Sequence, residues 1–503
     1  MVDFIGSSPL PCVLNNQPFK TAKTYPVYRA DLPAGQSEVL HEVHCCSPDE
    51  AVKVVDSAHA AFAKWKATPV GARRDILNKA AQLLSERIPQ YVALTVQETC
   101  IPKGMAGFEL AVLAIAHLKE AAALMSTALQ ATVLPDAGDG SRKYIFREPY
   151  GVVLGITPWN APVVLALRSV LWAIAAGNTA VMKTSEFSPR CGLMVAQTLI
   201  DAGLPEGVLS IIHVDPKDAP EVTEAIIAHP AVRKVNFTGS TRVGRIIAQT
   251  AAKHIKPVVL ELGGKAPMLV LDDADLDLVA NHILFGGFLN TNQICMSVNN
   301  ILVPRHLEAQ LQRKVAKLMA DNKEIFTAKP EQNLQSPHAL RNLFNPASGE
   351  RLKGLYDDAI SHGAKVVAGQ PAFDGALVQP VVLGEVDTSM RIFREETFGP
   401  VLSMIPYDSL DDALALANGT DMGLAAAVYG KDQARAFDVA KQIDAGQVHV
   451  NQHSVHDSPD MPHGGWKESG YGRLGGGVDG LREFTQIKGI TVQAGQPLPF
   501  GMM

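Results

Sequence analysis

Three residues in this chain of 503 could share one piece of acyl chemistry. Cys295 lies in NTNQICMS, Glu261 in LELGGK and Asn160 in ITPWNAP. A thiolate can attack a carbonyl carbon and carry the acyl group covalently. Releasing that group needs water activated by a base, and a carboxylate placed opposite the sulfur can serve. An amide N–H can donate to the oxyanion that develops in between. Taken singly, each residue has a plainer explanation: a buried cysteine, a surface glutamate, a turn asparagine.

A second group of residues suits a nucleotide. Phe237-Thr238-Gly239-Ser240-Thr241-Arg242-Val243-Gly244 sits where a strand should pass into a helix. Gly239 permits a tight turn there, and Ser240 with the helix N-terminus offers donors to phosphate. The two glycines, Gly239 and Gly244, do not have the spacing of the common dinucleotide fingerprint. Lys183 and Glu186 are expected just past the end of the second strand, 179–183. A carboxylate at that place accepts ribose hydroxyls and repels a 2′-phosphate, which favours NAD over NADP. The bland alternative is a solvated K-x-x-E pair.

The elements that must position these residues follow from short apolar runs alternating with helical patterns. Residues 51–125 read helical, and 132–147 read as a polar stretch whose second half is an extended arm. Strands are expected at 151–158, 179–183, 208–214, 232–237 and 258–262. Helices between them run to Gly177 and over 189–202, 221–228 and 241–253. This alternation means βαβ units, a parallel sheet and a nucleotide site at the carboxyl ends of its strands. A second α/β block runs from about 264 to 450. The tail beyond Asn451, rich in glycine (HGGWKESGYGRLGGGVDG), should be irregular, and TQIKGITVQ should form an edge strand.

Composition excludes several classes. With 45 Lys+Arg against 51 Asp+Glu the net charge is −6, so no basic footprint for nucleic acid exists. Hydrophobic residues make up 47%, enough for large cores, yet no apolar run has the length of a membrane span. The N-terminal MVDFIGSSPL is not a secretory leader and the terminal PLPFGMM is not a peroxisomal address, so a cytoplasmic protein is expected. The six cysteines, Cys12, Cys45, Cys46, Cys100, Cys191 and Cys295, are scattered and form neither a disulfide framework nor a zinc pattern. Five of them are expected to be small buried hydrophobes.

Seven segments in order, TPWNAP, MKTSE, FTGSTRVG, LELGGK, QIC, EETFGPV and GGWKESGYGR, make the chain resemble the aldehyde dehydrogenase superfamily over nearly its whole length. The resemblance implies an α/β aldehyde dehydrogenase fold with three parts. These are a Rossmann-like NAD-binding domain (1–126 and 150–262), an α/β catalytic domain (263–466) and a small β oligomerisation arm (127–149 and 478–495). It makes Cys295 the nucleophile, Asn160 and the Cys295 N–H the oxyanion hole, and Glu261 the base that frees the acid. It assigns Lys183 and Glu186 to the adenosine ribose, Ser240 to the pyrophosphate, and Glu396 with Phe398 to the nicotinamide ribose. Ile156, Thr157, Trp159, Ser185, Gly239, Gly244 and Leu262 complete the cofactor contacts. It implies a small-molecule aldehyde as substrate, no metal, and a homodimer or homotetramer.

The match is similar in detail to the salicylaldehyde and vanillin dehydrogenase branch, through WNAPVVLALRSV, VHDSPDMP and SGYGR. Ala161 and Arg168 stand where aliphatic members tend to carry aromatic residues. The Arg168 guanidinium can bind a phenolic oxygen or stack on a ring, or it can brace its helix through a salt bridge. Departures from the family pattern are Asn292 in place of a glycine, His463 in place of a phenylalanine, and Leu474 after the GR pair. Asn292 tolerates left-handed backbone, and His463 can hydrogen-bond a polar substituent or mark loosened packing. Together they point to a substituted salicylaldehyde. The competing expectations are an aliphatic or semialdehyde dehydrogenase, with a different residue at the position of Arg168, and a catalytically silent relative, without the Cys295, Glu261 and Asn160 set.

Overall fold

A computed structural model of the chain describes residues 3–30, 37–136, 138, 140–329, 336 and 338–495. The terminal PLPFGMM and the first two residues of the N-terminal segment lie outside the described residues. The alternating pattern folds as read. It comprises β1 (Val152–Ile156), α1 (Pro162–Ala175), β2 (Thr179–Lys183), α2 (Pro189–Asp201), β3 (Leu209–Ile212), α3 (Ala219–Ala228), β4 (Val232–Thr238), α4 (Thr241–Lys253) and β5 (Val258–Glu261). Their parallel order is β3-β2-β1-β4-β5. The direction of winding reverses between β1 and β4, which opens a crevice at the carboxyl ends of the strands. Ile156, Lys183, Thr238 and Glu261 are the last residues of four of these strands.

The sheet is not purely parallel. Cys12–Leu14 pairs antiparallel with β3, and Gly470–Tyr471 pairs antiparallel with β5. This corrects the expectation of an irregular glycine-rich tail. Trp466–Lys467 pairs with Met422–Gly423, and Gly477–Arg482 is helical. Short strands tolerate glycine here because a neighbouring strand supplies the hydrogen bonds that the sequence itself does not favour.

Side chains alternate between the two faces of each strand. Val152, Leu154 and Ile156 pack on the side covered by the Pro48–Lys66 helix, α3 and α4. Val153 packs on the other side, under α1, α2, and the helices Val70–Glu98 and Ile115–Ala128. Helix α1 is buried all round. Its start has no side-chain cap of its own. Glu109, from a π-helical turn (Glu109–Ala114), accepts from Val163 N at 2.6 Å and Val164 N at 2.7 Å instead. Burial pushes the Glu109 carboxyl up to about 7 against those two N–H groups.

The second sheet contains β6 (Ala266–Val270), β7 (Val298–Pro304), β8 (Val401–Tyr407), β9 (Ala425–Tyr429) and β10 (Gln447–Val450). Helix α5 (Leu276–Phe288) joins β6 to β7. Lys365–Gly369 and Val381–Gly384 extend the sheet beyond β8 to seven strands. Residues 262–265 carry the chain from the end of β5 into β6, so they form a seam between the two sheets. A separate three-stranded sheet orders Thr485–Val492, Arg142–Pro149 and Thr132–Val133, with Thr485–Val492 at its edge as expected. Among the described residues no helix is long and apolar enough to cross a membrane.

Candidate active site

The segment ahead of Cys295 turns through three consecutive left-handed residues after α5. Asn290, Thr291 and Asn292 have φ of 51°, 55° and 62°. A β-branched residue such as Thr291 is strained there, so surrounding bonds must impose the turn. They do: Thr291 Oγ1 donates to Arg341 O at 3.1 Å, and Asn290 Nδ2 donates to Asn160 O at 2.9 Å. Asn292 adopts the left-handed backbone expected of it and adds what glycine cannot. Its Nδ2 donates to Gly287 O at 2.5 Å and to Val298 O at 3.1 Å, tying α5 to β7. On the seam, a Cβ on Gly264 would lie 2.2 Å from Cys295 O, so only glycine lets the loop settle this close.

The three candidate chemical groups meet at this loop. Asn160, buried just before α1, donates through Nδ2 to Gln293 O at 3.0 Å, which sets its amide beside the 293–295 segment. Cys295 is half-buried, whereas Cys12, Cys45, Cys46, Cys100 and Cys191 are fully buried, as expected of five structural cysteines. Burial, followed by the charges of Glu261 and Glu396, pushes the Cys295 thiol well up, with Arg168 pulling it back. The thiol therefore needs a base. Glu261 is 2% exposed, and neither carboxylate oxygen accepts a hydrogen bond from the described residues.

His463 faces that carboxylate. Its Nε2 lies 3.1 Å from Glu261 Oε2, without hydrogen-bond alignment, and its Nδ1 lies 3.8 Å from Asp457 Oδ1. Asp457 Oδ2 accepts from Arg168 Nη1 at 2.8 Å. The helix-bracing salt bridge of Arg168 is thus present, while among the described residues its Nε and Nη2 have no hydrogen-bond partner. Ala161 immediately precedes α1.

The nucleotide candidates line the crevice at the carboxyl ends of the strands. Ser240 caps α4, accepting from Val243 N at 3.4 Å. A Cβ on Gly244 would lie 2.4 Å from Leu262 Cδ2, so glycine allows α4 to lie against the seam. Thr157 Oγ1 accepts from Ser185 N at 3.0 Å, linking the ends of β1 and β2. Lys183 is the last residue of β2 and is buried, which removes the solvated-pair alternative for it. Its Nζ lies 3.6 Å from Glu186 Oε2, and the Glu186 side chain remains partly exposed. Glu396 accepts from Gly264 N at 3.0 Å, and burial pushes its carboxyl up to about 6 against Gly264 N–H, Arg351 and Lys265. Phe398 and Trp159 meet edge to face with centroids 5.9 Å apart. These residues fit a dinucleotide: a capped helix start for phosphate, carboxylates for ribose hydroxyls and an aromatic wall for a ring.

Residues 20–490 match the aldehyde dehydrogenase family. The chain belongs to that family. A vanillin dehydrogenase from Pseudomonas sp. (strain HR199) is 44% identical over 91% of this chain and 93% of its own length. A salicylaldehyde dehydrogenase from Pseudomonas sp. (strain C18) is 38% identical over 91% and 93% respectively. The crystal structure of a salicylaldehyde dehydrogenase from Pseudomonas putida G7, complexed with salicylaldehyde, superposes with a TM-score of 0.92 at 35% identity. It covers 97% of this chain and 99% of its own. The aldehyde dehydrogenase fold, a family resemblance to aromatic aldehyde dehydrogenases and an oxidoreductase activity on aldehydes are thereby shown.

Reading the sequence of this aldehyde dehydrogenase does not find everything the site contains. Phe344 stacks on Trp159 at 4.0 Å, and Phe187 meets Phe344 edge to face at 4.3 Å. Neither phenylalanine belongs to a segment with chemical character of its own. Asp457 lies inside VHDSPDMP, but nothing in that string names Arg168 and His463 as its partners. Among the described residues no cluster of three His, Cys, Asp or Glu side chains is arranged to hold a metal ion.

Proposed function

We propose that this aldehyde dehydrogenase oxidises a hydroxylated aromatic aldehyde to its acid with NAD. The observation that carries the aromatic reading is the Arg168 guanidinium. It is buried and held through Nη1, with two donor nitrogens left for a phenolic oxygen. The likeness to the vanillin and salicylaldehyde enzymes supports the same reading.

In this mechanism the Cys295 thiol gives its proton to Glu261 as sulfur bonds to the aldehyde carbon. Asn160 Nδ2 and the Cys295 N–H donate to the resulting oxyanion. NAD, when bound, supplies the acceptor for the hydride that leaves the thiohemiacetal carbon. The chain is then acylated at Cys295 as a thioester. Glu261, returned to its carboxylate form once the thiol's proton has passed to solvent, takes a proton from water, whose oxygen bonds to the acyl carbon while the C–S bond breaks.

The test is NADH formation from salicylaldehyde, vanillin, benzaldehyde and a medium-chain alkanal at equal concentrations. Salicylaldehyde or vanillin should exceed the alkanal in kcat/KM by at least about tenfold, the worth of one good polar contact. A preference for the alkanal would overturn the aromatic assignment and leave aldehyde oxidation standing.

Cofactor choice rests on Glu186. A partly exposed carboxylate at the end of β2 accepts ribose hydroxyls and repels a 2′-phosphate. Glu186→Ala should raise the ratio of NADP to NAD efficiency by about tenfold, because one unfavourable charge contact is removed. An unchanged ratio in kcat/KM measurements would take Glu186 out of cofactor selection.

The same proposal includes assembly and place. Thr485–Val492 presents Ile487, 67% exposed, together with Ile490 and Val492 along a sheet edge. An apolar open edge of this kind suits pairing with a second copy of the chain, as a homodimer or homotetramer. Six free cysteines suit a reducing, cytoplasmic setting. The NAD-binding, catalytic and arm divisions at 1–126 with 150–262, 263–466, and 127–149 with 478–495 belong to the proposal as well.

A further inference from the structure

Glu261 takes protons in the proposed chemistry, yet it is buried and must lose each proton before it can act again. His463 Nε2 lies 3.1 Å from Glu261 Oε2. Its ring nitrogen on the far side, Nδ1, lies 3.8 Å from Asp457 Oδ1, and Arg168 Nη1 donates to Asp457 Oδ2 at 2.8 Å. The side chains of all four residues are at most 6% exposed. His463 is also fixed through its backbone, donating to Gly475 O and accepting from Leu474 N, both at 2.9 Å. The result is a row of alternating charge character, Glu261–His463–Asp457–Arg168, running from the end of β5 through the 457–463 segment to α1.

We propose that His463 is a positioning residue that relays the proton taken up by Glu261, with Asp457 and Arg168 holding the imidazole for the transfer. The proposal rests on Glu261 acting as the base. In deacylation the water proton moves to Glu261 as the new C–O bond forms and the C–S bond breaks. That proton then passes from Glu261 Oε2 to His463 Nε2, which restores the carboxylate and leaves an imidazolium beside Asp457. The imidazolium gives the proton to solvent as the acid leaves.

A carboxylate behind an imidazole stabilises the cation that the ring becomes, as in serine hydrolase triads. Asp457 is suited to this. Burial opposes its charge, but Arg168, then His463 and His117, hold its carboxyl well below the usual carboxylate range. Ring alignment in a resting site is often loose and tightens only in the reacting complex. The groups that bear electrostatically on His463 are Glu261 on β5, Asp457 on its own segment, His117 on the Ile115–Ala128 helix and His449 on β10, while Arg168 on α1 and His456 act on Asp457.

The experiment is rapid-mixing and steady-state NADH formation by the full chain from pH 6 to 9, with NAD and the best aldehyde of the panel. Wild type is compared with His463→Gln, which keeps a polar side chain that carries no proton, and with His463→Phe, which fills the ring volume. Both variants should retain the initial burst of NADH and lose at least about tenfold in kcat, with little change in KM. The dependence of kcat on pH should differ between wild type and both variants, because a side chain that carries a proton has been removed from the path. NAD-binding sites counted by quenching of protein fluorescence measure folded protein, so loss of protein is read separately from loss of burst or rate. The relay is overturned if both variants keep kcat within twofold with an unchanged pH profile. It is equally overturned by a rise in KM at constant kcat, or by loss of the burst itself, since either would make the ring a substrate contact or a wall of the pocket. Failure of the underlying reading looks different: full turnover in Glu261→Gln removes Glu261 as the base, whatever the His463 variants do.

Discussion

Replacing Cys295 by alanine should lower NADH formation by about 10⁴-fold or more while leaving NAD binding essentially unchanged. The loss is this large because the covalent route disappears altogether. Without sulfur the aldehyde carbon does not become the electron-rich tetrahedral centre from which hydride departs. No other thiol can stand in, since the remaining five cysteines are buried in the packed interior. The measurement is kcat/KM for NADH formation, with NAD binding followed by quenching of protein fluorescence. Activity within tenfold of wild type would remove Cys295 as the nucleophile. A companion observation on the wild-type chain concerns its titration. Burial first, then Glu261 and Glu396, pushes the thiol up, so its thiolate fraction at neutral pH is small. Alkylation of Cys295 by iodoacetamide, without cofactor, should therefore keep accelerating as pH rises past 9, with no plateau at the value of an ordinary thiol.

Glu261→Gln should separate the two halves of the reaction. Deacylation loses its base, so steady-state turnover should fall by about 10²- to 10⁴-fold. The hydride-yielding half should still proceed once, more slowly than in wild type but still as a burst of NADH near one equivalent per site, because the small thiolate fraction, raised by loss of the Glu261 charge, attacks without a base. The same substitution removes a negative charge that holds the Cys295 thiol up, so alkylation at a fixed pH of 7 to 8 should become faster. Slower alkylation combined with slower turnover would mean that Glu261 activates the resting thiol more than it repels the thiolate. Turnover at the wild-type rate would take the carboxylate out of the mechanism. Opposite signs for alkylation and turnover are the diagnostic result, because simple loss of structure lowers both.

Local features were legible from residues alone. The strand at Thr179–Lys183 and the helix at Thr241–Lys253 fall where alternating apolar runs and a serine ahead of a helical pattern place them. The helix depends on hydrogen bonds and a cap made within a few residues, and the strand is marked by a short apolar run, so neighbours in sequence carry both signals. Cys295, Glu261 and Asn160 were legible as candidates because their residue types and ordered segments are unusual together. Asn292 was legible as a left-handed residue, since side-chain type restricts φ locally.

Which polar groups meet across the fold is a different matter. Arg168 and Asp457 are 289 positions apart, and a helix and a distant loop had to be brought together before their charges could pair. The spacing of apolar residues records which face of an element is buried and says nothing about what covers it. The partner is chosen by strand order and by the packing of two sheets across the 262–265 seam. For that reason His463 read from the sequence alone is a substituted phenylalanine, and in the folded chain it stands between Glu261 and Asp457. The glycine-rich tail makes the same point. Its residues favour neither helix nor strand locally, and Gly470–Tyr471 becomes a strand because the open edge of β5 supplies its hydrogen bonds. Sequence by itself determined the elements and the chemical groups; tertiary structure decided their company, because contact across the core depends on topology that no local pattern encodes.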